Sequence, residues 1–505
     1  MLLAGGVAAQ QTPPPQPESS GAATSSASES KISQQEADEL FKSLDSILRF
    51  ASDDSKLRIR HPVKRKMVDR DTVESNLRDR LKNDEDAKRL RRAEVVLKKF
   101  GFLPRDFDLQ SYLVSLLREQ VAGFYNFHDQ TVYLLDWIPA QQQKPIVAHE
   151  LTHALQDQNF QLERWLKGGP QSEDIHTNGS PGGQDTAQSD EQEIESDEVE
   201  TARQALVEGQ GMAVMIDYLL KDSNQNVMTA TFYVNALEQS MLAPHESPVL
   251  SQAPMYLQES LAFPYSYGLE FVRQLLFKGG RKLAYEGALK NPPRNTRQVM
   301  IPKTYFSHEE LQPARLPDMG SLLGKAYRRY DVGSVGEFDV IVLLKQFAGE
   351  KLATDLSPEW RGGAYYAALR PDAAASQERL LAKPPTLLPG PAGTRPEEAA
   401  PVTTQDIALL YLSRWGSAQA AKQFAAAYAN TVPRRYRSAQ PPDEMAIRNS
   451  APTRATFIRR WQTEEGPVMI EAEGDTVLAL EGFDSATMVR LQQAVWHRPP
   501  SADHK

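Results

Sequence analysis

Two histidines four residues apart, with a glutamate beside the first, form the pattern in this sequence best suited to chemistry: His149-Glu150-Leu151-Thr152-His153. On a helix, residues at i and i+4 point to one side, so two neutral imidazoles at this spacing can reach one Zn²⁺. Glu150, next to the first ligand, reaches the open coordination position where a water sits. The ion lowers the pKa of that water, and the glutamate takes its proton as the water attacks a carbonyl. With 9 His and 66 acidic residues among 505, chance supplies about 0.02 such patterns. The flanking Ile146, Val147, Ala148, Leu151, Thr152, Ala154 and Leu155 carry no charge. A surface helix with two incidental histidines would be charged there, whereas a helix running through a core would not.

A catalytic zinc needs a third protein ligand. Glu191, Glu193, Glu195, Asp197, Glu198 and Glu200 form an acidic cluster downstream, but clustered acids read as solvated charge. Glu208 is the preferred candidate, an isolated acid in the apolar stretch Ala205-Leu206-Val207-Glu208-Gly209-Gln210-Gly211-Met212-Ala213. A buried carboxylate needs a partner, and a metal is a good one. Gly209 and Gly211 weaken a helix but allow close approach to another backbone. His128 and His176, in expected turns, are weaker candidates.

The absence of cysteine removes disulfides, thiolate zinc sites and cysteine catalysis together, so a metal must be held by His, Asp or Glu. A net charge of -9 predicts no broad nucleic-acid footprint. The basic stretch Lys88 to Lys99 reads as the wet face of an amphipathic helix. No apolar run reaches membrane-spanning length, so no transmembrane helix is expected. The segment Met1 to Gln10 is short and apolar, Val7-Ala8-Ala9 resembles a cleavage site, and a basic n-region is missing. It is either the remnant of a signal peptide whose start lies upstream or a disordered apolar start. Export to the periplasm or medium is the favoured reading, with room for association with the cell envelope.

The elements that must position the motif follow from periodicity. Residues 1–31 combine the leader remnant with a disordered low-complexity segment. A catalytic domain is expected over 32–310, interrupted by a disordered acidic insertion at 168–196. Within it, helices are expected at Gln34–Phe50, within Thr72–Phe100, at Asp108–Gln120, Gln142–Phe160 and Glu198–Lys221, and at about 228–243, 254–262 and 266–277. Leu57–Val73 suits a partly exposed strand and Val121–Asp136 a hairpin. A smaller α+β region is expected over 311–505, with a Pro/Ala-rich linker at 371–401. Its expected elements are helices at Val335–Phe347, Thr404–Tyr428 and Ser485–Val495, and a meander of Thr456–Trp461, Val468–Glu473 and Thr476–Glu481.

The segment His149-Glu150-Leu151-Thr152-His153-Ala154-Leu155-Gln156-Asp157-Gln158, followed by Leu206-Val207-Glu208-Gly209, resembles gluzincin-type metallopeptidases of the peptidase MA arrangement, and most closely uncharacterised bacterial exported members. Val121-Ala122-Gly123-Phe124-Tyr125, Phe263-Pro264-Tyr265-Ser266-Tyr267-Gly268 and Pro292-Pro293-Arg294-Asn295-Thr296-Arg297-Gln298-Val299-Met300 extend the likeness, which covers roughly Leu57 to Tyr305. It implies a mainly helical, thermolysin-like α+β fold with a small antiparallel sheet. It further implies His149, His153 and Glu208 as zinc ligands and Glu150 as general base. Two positions depart from the pattern. Met212 stands where an Asp commonly orients a ligand histidine, so that support must come from elsewhere. Ile301-Pro302 stands where relatives often carry His-Pro. Tyr265 or Tyr267 is the candidate to stabilise an oxyanion, the alternative for each being aromatic packing at a helix start. Asp157 faces either His153 or solvent.

The leading expectation is a zinc metallopeptidase acting on a peptide or protein substrate, which binds as an added strand along Thr131–Leu135. The alternative is a zinc-stabilised binding or scaffold protein without significant hydrolysis. A third reading is hydrolysis of a non-peptide amide, since the carbonyl chemistry is the same.

Overall fold

The computed structural model describes residues 31–73, 75, 85–120, 123–167, 186–242, 248–311, 314–382, 401–441 and 454–496. Expectations for the leader and low-complexity start, for residues 168–185 of the acidic insertion and for residues 383–400 of the linker lie outside them. The architecture is α+β. The described residues divide into two compact units, one drawn from 1–90, 108–179 and 196–309, the other from 91–107, 180–195 and 310–505. A boundary at 310 does not provide for the segments 91–107 and 180–195, which group with the C-terminal unit.

The first unit is mainly helical. Helix α1 (Gln34–Ser55) is started by a capping box between Ser33 and Glu36 and buries Ala37, Leu40, Leu44, Ile47, Leu48 and Ala51, the three-and-four spacing of an apolar stripe. It packs along α2 (Ala140–Phe160). Every residue of α2 from Pro145 to Asp157 is buried, which is why Glu150 and Asp157 are its only acids there and no Lys or Arg occurs. Helix α3 (Thr186–Leu219) starts twelve residues before the expected Glu198, so residues 186–196 are helical rather than disordered. Their Gln, Glu and Ala are good helix formers whatever their net charge.

Helix α4 (Met255–Lys282) runs through Pro264, where two helices were expected. Proline removes one hydrogen bond and costs about 3 kcal/mol in a helix interior. Burial of Phe263, Tyr265, Leu269, Phe271, Val272 and Leu275 outweighs that cost.

Three strands complete the unit: β1 (Lys64–Val68), β2 (Phe124–Asn126) and β3 (Thr131–Leu135), in the order β1-β3-β2. The expected hairpin is β2–β3, antiparallel with Tyr125 opposite Val132. β1 joins β3 in parallel, with Lys66 opposite Tyr133, so the sheet is mixed rather than antiparallel. β3 is its central strand and not an open edge.

The second unit is built on a seven-stranded antiparallel sheet in the order β4-β5-β6-β10-β9-β8-β7. Its strands are β4 (Arg328–Ser334), β5 (Trp360–Leu369), β6 (Ile407–Trp415), β7 (Ala439–Gln440), β8 (Phe457–Thr463), β9 (Gly466–Glu473) and β10 (Thr476–Glu481). The expected helix over Thr404–Tyr428 is corrected to β6 followed by helix α5 (Ala418–Ala429). Leu410 and Leu412 pack into one core with Val332, Leu478 and Leu480, while Tyr411 on the other face meets Phe424 of α5. A strand covered on both faces reads as a continuous apolar run, which periodicity does not separate from a buried helix. Pro371–Ala382, expected as linker, is helical.

The C-terminal sheet carries a buried charge pair. Arg435 and Glu481 are 1% and 0% exposed and 2.9 Å apart. The same carboxylate accepts hydrogen bonds from the Tyr428 and Tyr436 hydroxyls. Glu481→Leu strands the guanidinium, and the expected loss is about 3–5 kcal/mol in a urea titration; a loss below about 1 kcal/mol would show the pair to be dispensable.

Candidate metal centre

Three helices of the first unit supply the site. His149, Glu150 and His153 come from α2, Glu208 from α3, and Tyr265 from α4. His149 Nε2 and His153 Nε2 are 2.8 Å apart, and Glu208 Oε2 lies 3.1 Å from the first and 3.4 Å from the second. Among the described residues these three form a group able to hold a metal ion.

The donors fit a cation. Ligand atoms about 2 Å from one tetrahedral ion lie roughly 3.3 Å from each other, close to the separations found. Two imidazole nitrogens this close cannot both present lone pairs unless a proton or a cation lies between them. The metal-free ionisation reflects this. Burial and the neighbouring His153 push His149 down to about 4. Burial also works against a charge on His153, but Glu208 and Glu150 hold it up, at about 9. Glu208 is lowered despite its desolvation, because both histidines face it.

Glu150 is 1% exposed. Its Oε2 accepts a 2.7 Å hydrogen bond from the backbone N–H of Tyr125 on β2, and its Oε1 is buried with no hydrogen-bond partner. Burial raises its pKa to about 8. Tyr125 is held in turn, its hydroxyl donating to Asp157 Oδ2 at 2.8 Å. Asp157 also accepts from the Leu162 N–H, so it is neither a partner of His153 nor a solvated carboxylate.

The two tyrosines separate. The Tyr265 ring lies 6.4 Å from that of His149. Burial, then the Glu208 and Glu150 charges, drive its pKa well above 10. Tyr267 packs its ring on Phe263, 5.3 Å between centroids, which is the packing alternative. Two residues along a helix turn the side chain by about 200°, so both cannot face one point.

The remaining candidates lie elsewhere. Glu198 binds the backbone N–H and hydroxyl of Thr296 at 3.0 and 2.9 Å, and Asp197 and Glu200 pair with Arg89. Glu193 pairs with Arg329, and Glu191 and Glu195 are exposed. His128 is exposed beside Glu163, and His176 lies outside the described residues. Sequence reasoning missed Gln156, whose Oε1 is 2.8 Å from His153 Nδ1. The signal was present, since Gln156, three residues after His153, shares its helix face.

Close packing brings the helices together. A Cβ on Gly268 would lie 2.1 Å from the Ala205 carbonyl oxygen, and one on Gly209 would lie 2.2 Å from that of Gly268. Only hydrogen fits at this crossing, one residue from Glu208 and three from Tyr265. A Cβ on Gly211 would meet the His149 ring at 2.8 Å.

No family model matches the chain, and neither a curated protein nor a solved structure matches it.

Gly211→Ala is expected to push the His149 ring aside and lower Co²⁺ affinity at least about tenfold, a loss in the range seen when support of a metal ligand is removed. Gly268→Ala strikes backbone instead and is expected to cost about 1–3 kcal/mol or more in stability. Cobalt titration and thermal unfolding of both variants check this; unchanged affinity in Gly211→Ala would contradict the fit.

Proposed function

We propose that the protein is a zinc-dependent metallopeptidase of thermolysin-like fold, with His149, His153 and Glu208 as ligands and Glu150 as general base. The observation that carries the reading is the state of Glu150. One of its oxygens is anchored on Tyr125 and the other is buried and unpaired beside the ligand cluster. A scaffold has no use for such a group, because leaving a buried carboxylate oxygen without a partner costs stability. For a general base the same arrangement is productive, since a proton affinity near the working pH suits an acid-base group.

Zn²⁺, when bound, supplies Lewis acidity that lowers the pKa of water and polarises a carbonyl. The protein's own residues do the rest. Glu150 Oε1 receives a proton from the attacking water and passes it to the leaving amine. The Tyr125 N–H keeps Oε2 turned away, so the free oxygen is the one that moves the proton. Tyr265 O–H donates to the oxygen that gains charge. Its raised pKa keeps it a donor at neutral pH.

An extended peptide is the substrate in this reading. β3 has neighbours on both sides, so strand addition falls to an end strand of the sheet, β1 or β2, and β2 is the one at the site. β2 is also the strand whose Tyr125 N–H meets Glu150, so the added strand would run beside the general base. The resemblance of the His149–Gln158 and Leu206–Gly209 segments to gluzincins supports the peptide bond over other amides. The expected compartment is outside the cytoplasm; among the described residues no helix is long and apolar enough to cross a membrane.

Purified protein is expected to carry one zinc per chain. Glu150→Gln is expected to retain that zinc and lose peptide hydrolysis by about 10²–10⁴-fold, read by cleavage profiling of a proteome-derived peptide library. Hydrolysis undiminished in Glu150→Gln, with zinc in place, would overturn the reading.

A further inference from the structure

The hydrogen bonds behind His153 admit only one direction. One end of the Gln210 amide lies 2.6 Å from the Ala284 carbonyl oxygen and 3.4 Å from that of Tyr285. A backbone carbonyl only accepts, so that end is the NH₂ and the Gln210 oxygen faces away. That oxygen lies 2.8 Å from the Gln156 amide nitrogen, which is also 3.2 Å from the Val207 carbonyl oxygen. With two acceptors at that end, the Gln156 oxygen is turned toward His153 Nδ1, at 2.8 Å. An amide oxygen accepts only, so Nδ1 must carry a hydrogen. Both glutamines are 0% exposed, and burying two amides in place of two aliphatic side chains has a cost that packing alone does not require.

We propose that Gln156 and Gln210 are positioning residues of the metal site: they form a one-way amide relay, anchored on the carbonyls of Ala284 and Val207, that holds the His153 proton on Nδ1 and presents Nε2 to the cation. The inference rests on the reading of the site as a metal centre. It also accounts for Met212, which stands where a polar partner of a ligand histidine was expected; the partner comes instead from Gln156, braced by Gln210. His149 has no such support, its buried Nδ1 being without a hydrogen-bond partner, and is placed by the close contact with Gly211.

Two readouts test this on the full chain. In metal-free protein labelled with [¹⁵N]histidine, the His153 Nδ1–H is expected as a downfield resonance that exchanges slowly with water, assigned by its loss in His153→Asn. Gln156→Met is expected to abolish or shift that resonance and to weaken Zn²⁺ binding, measured by chelator competition, about 10–100-fold. Gln210→Met leaves Gln156 its bond to Val207, and is expected to have a smaller effect of the same kind. Gln156→Glu keeps an acceptor at Nδ1 and is expected to restore the resonance; with Gln210→Met it carries the test if Gln156→Met does not fold. An unchanged Nδ1–H resonance and unchanged zinc affinity in the two methionine variants, even with a lowered melting temperature, would reduce the pair to packing and overturn the proposal. A wild type that binds no zinc but shows the expected resonance changes would refute the metal centre while leaving the relay assignment standing.

Discussion

Lone pairs that face one another inside a protein need something positive between them. His149 Nε2, His153 Nε2 and Glu208 Oε2 converge within 3.4 Å, the two histidines are nearly inaccessible to water, and water cannot screen what it does not reach. Without a cation the cluster resolves the conflict by keeping His153 protonated as the imidazolium and His149 neutral. A divalent ion resolves it with more charge and defined directions. Much of the first unit follows from that constraint. A helix that buries such a group must be apolar on its remaining faces, and α2 is buried from Pro145 to Asp157.

The constraint also explains features that would otherwise be costs. Two glycines in the middle of a helix are destabilising on propensity grounds. In α3 they are the positions where the Gly268 backbone and the His149 ring approach closest. Pro264 inside α4 is unfavourable too, yet the helix continues past it and sets the Tyr265 ring beside that of His149. Glu150 is held through a path that starts at the far end of its own helix, from Asp157 to the Tyr125 side chain and from the Tyr125 backbone back to Glu150. Each device trades local stability for placement of one atom, as expected where a site must be organised in advance of its ligand.

The local part of this organisation was legible in the sequence. The i, i+4 spacing of His149 and His153 is fixed by helix geometry, and Glu208 stood out as one acid among apolar residues. What the sequence hid was of two kinds. Pairings across long separations leave no local trace: Gln210 bears on His153 only because α3 crosses α2, and Glu198 was indistinguishable from its acidic neighbours until Thr296 appeared beside it. Elsewhere the local signal was ambiguous. Ile407–Leu412 is apolar throughout and suits a helix or a doubly covered strand equally, and residues 186–196 are polar enough for a loop yet rich in the helix formers Gln, Glu and Ala. The choice between Tyr265 and Tyr267 was a different matter, since a half-turn of helix separates them and only one can face the cluster of His149, His153 and Glu208.

The central claim is that one zinc ion sits among His149, His153 and Glu208. Its most direct test is anomalous scattering at the zinc edge from crystals of protein purified without added metal. The account predicts a single zinc peak per chain within about 2.0–2.2 Å of His149 Nε2, His153 Nε2 and a Glu208 carboxylate oxygen, with Glu150 not bound to it. A zinc held by other residues, or one bound by the histidines while Glu208 turns away, would contradict it.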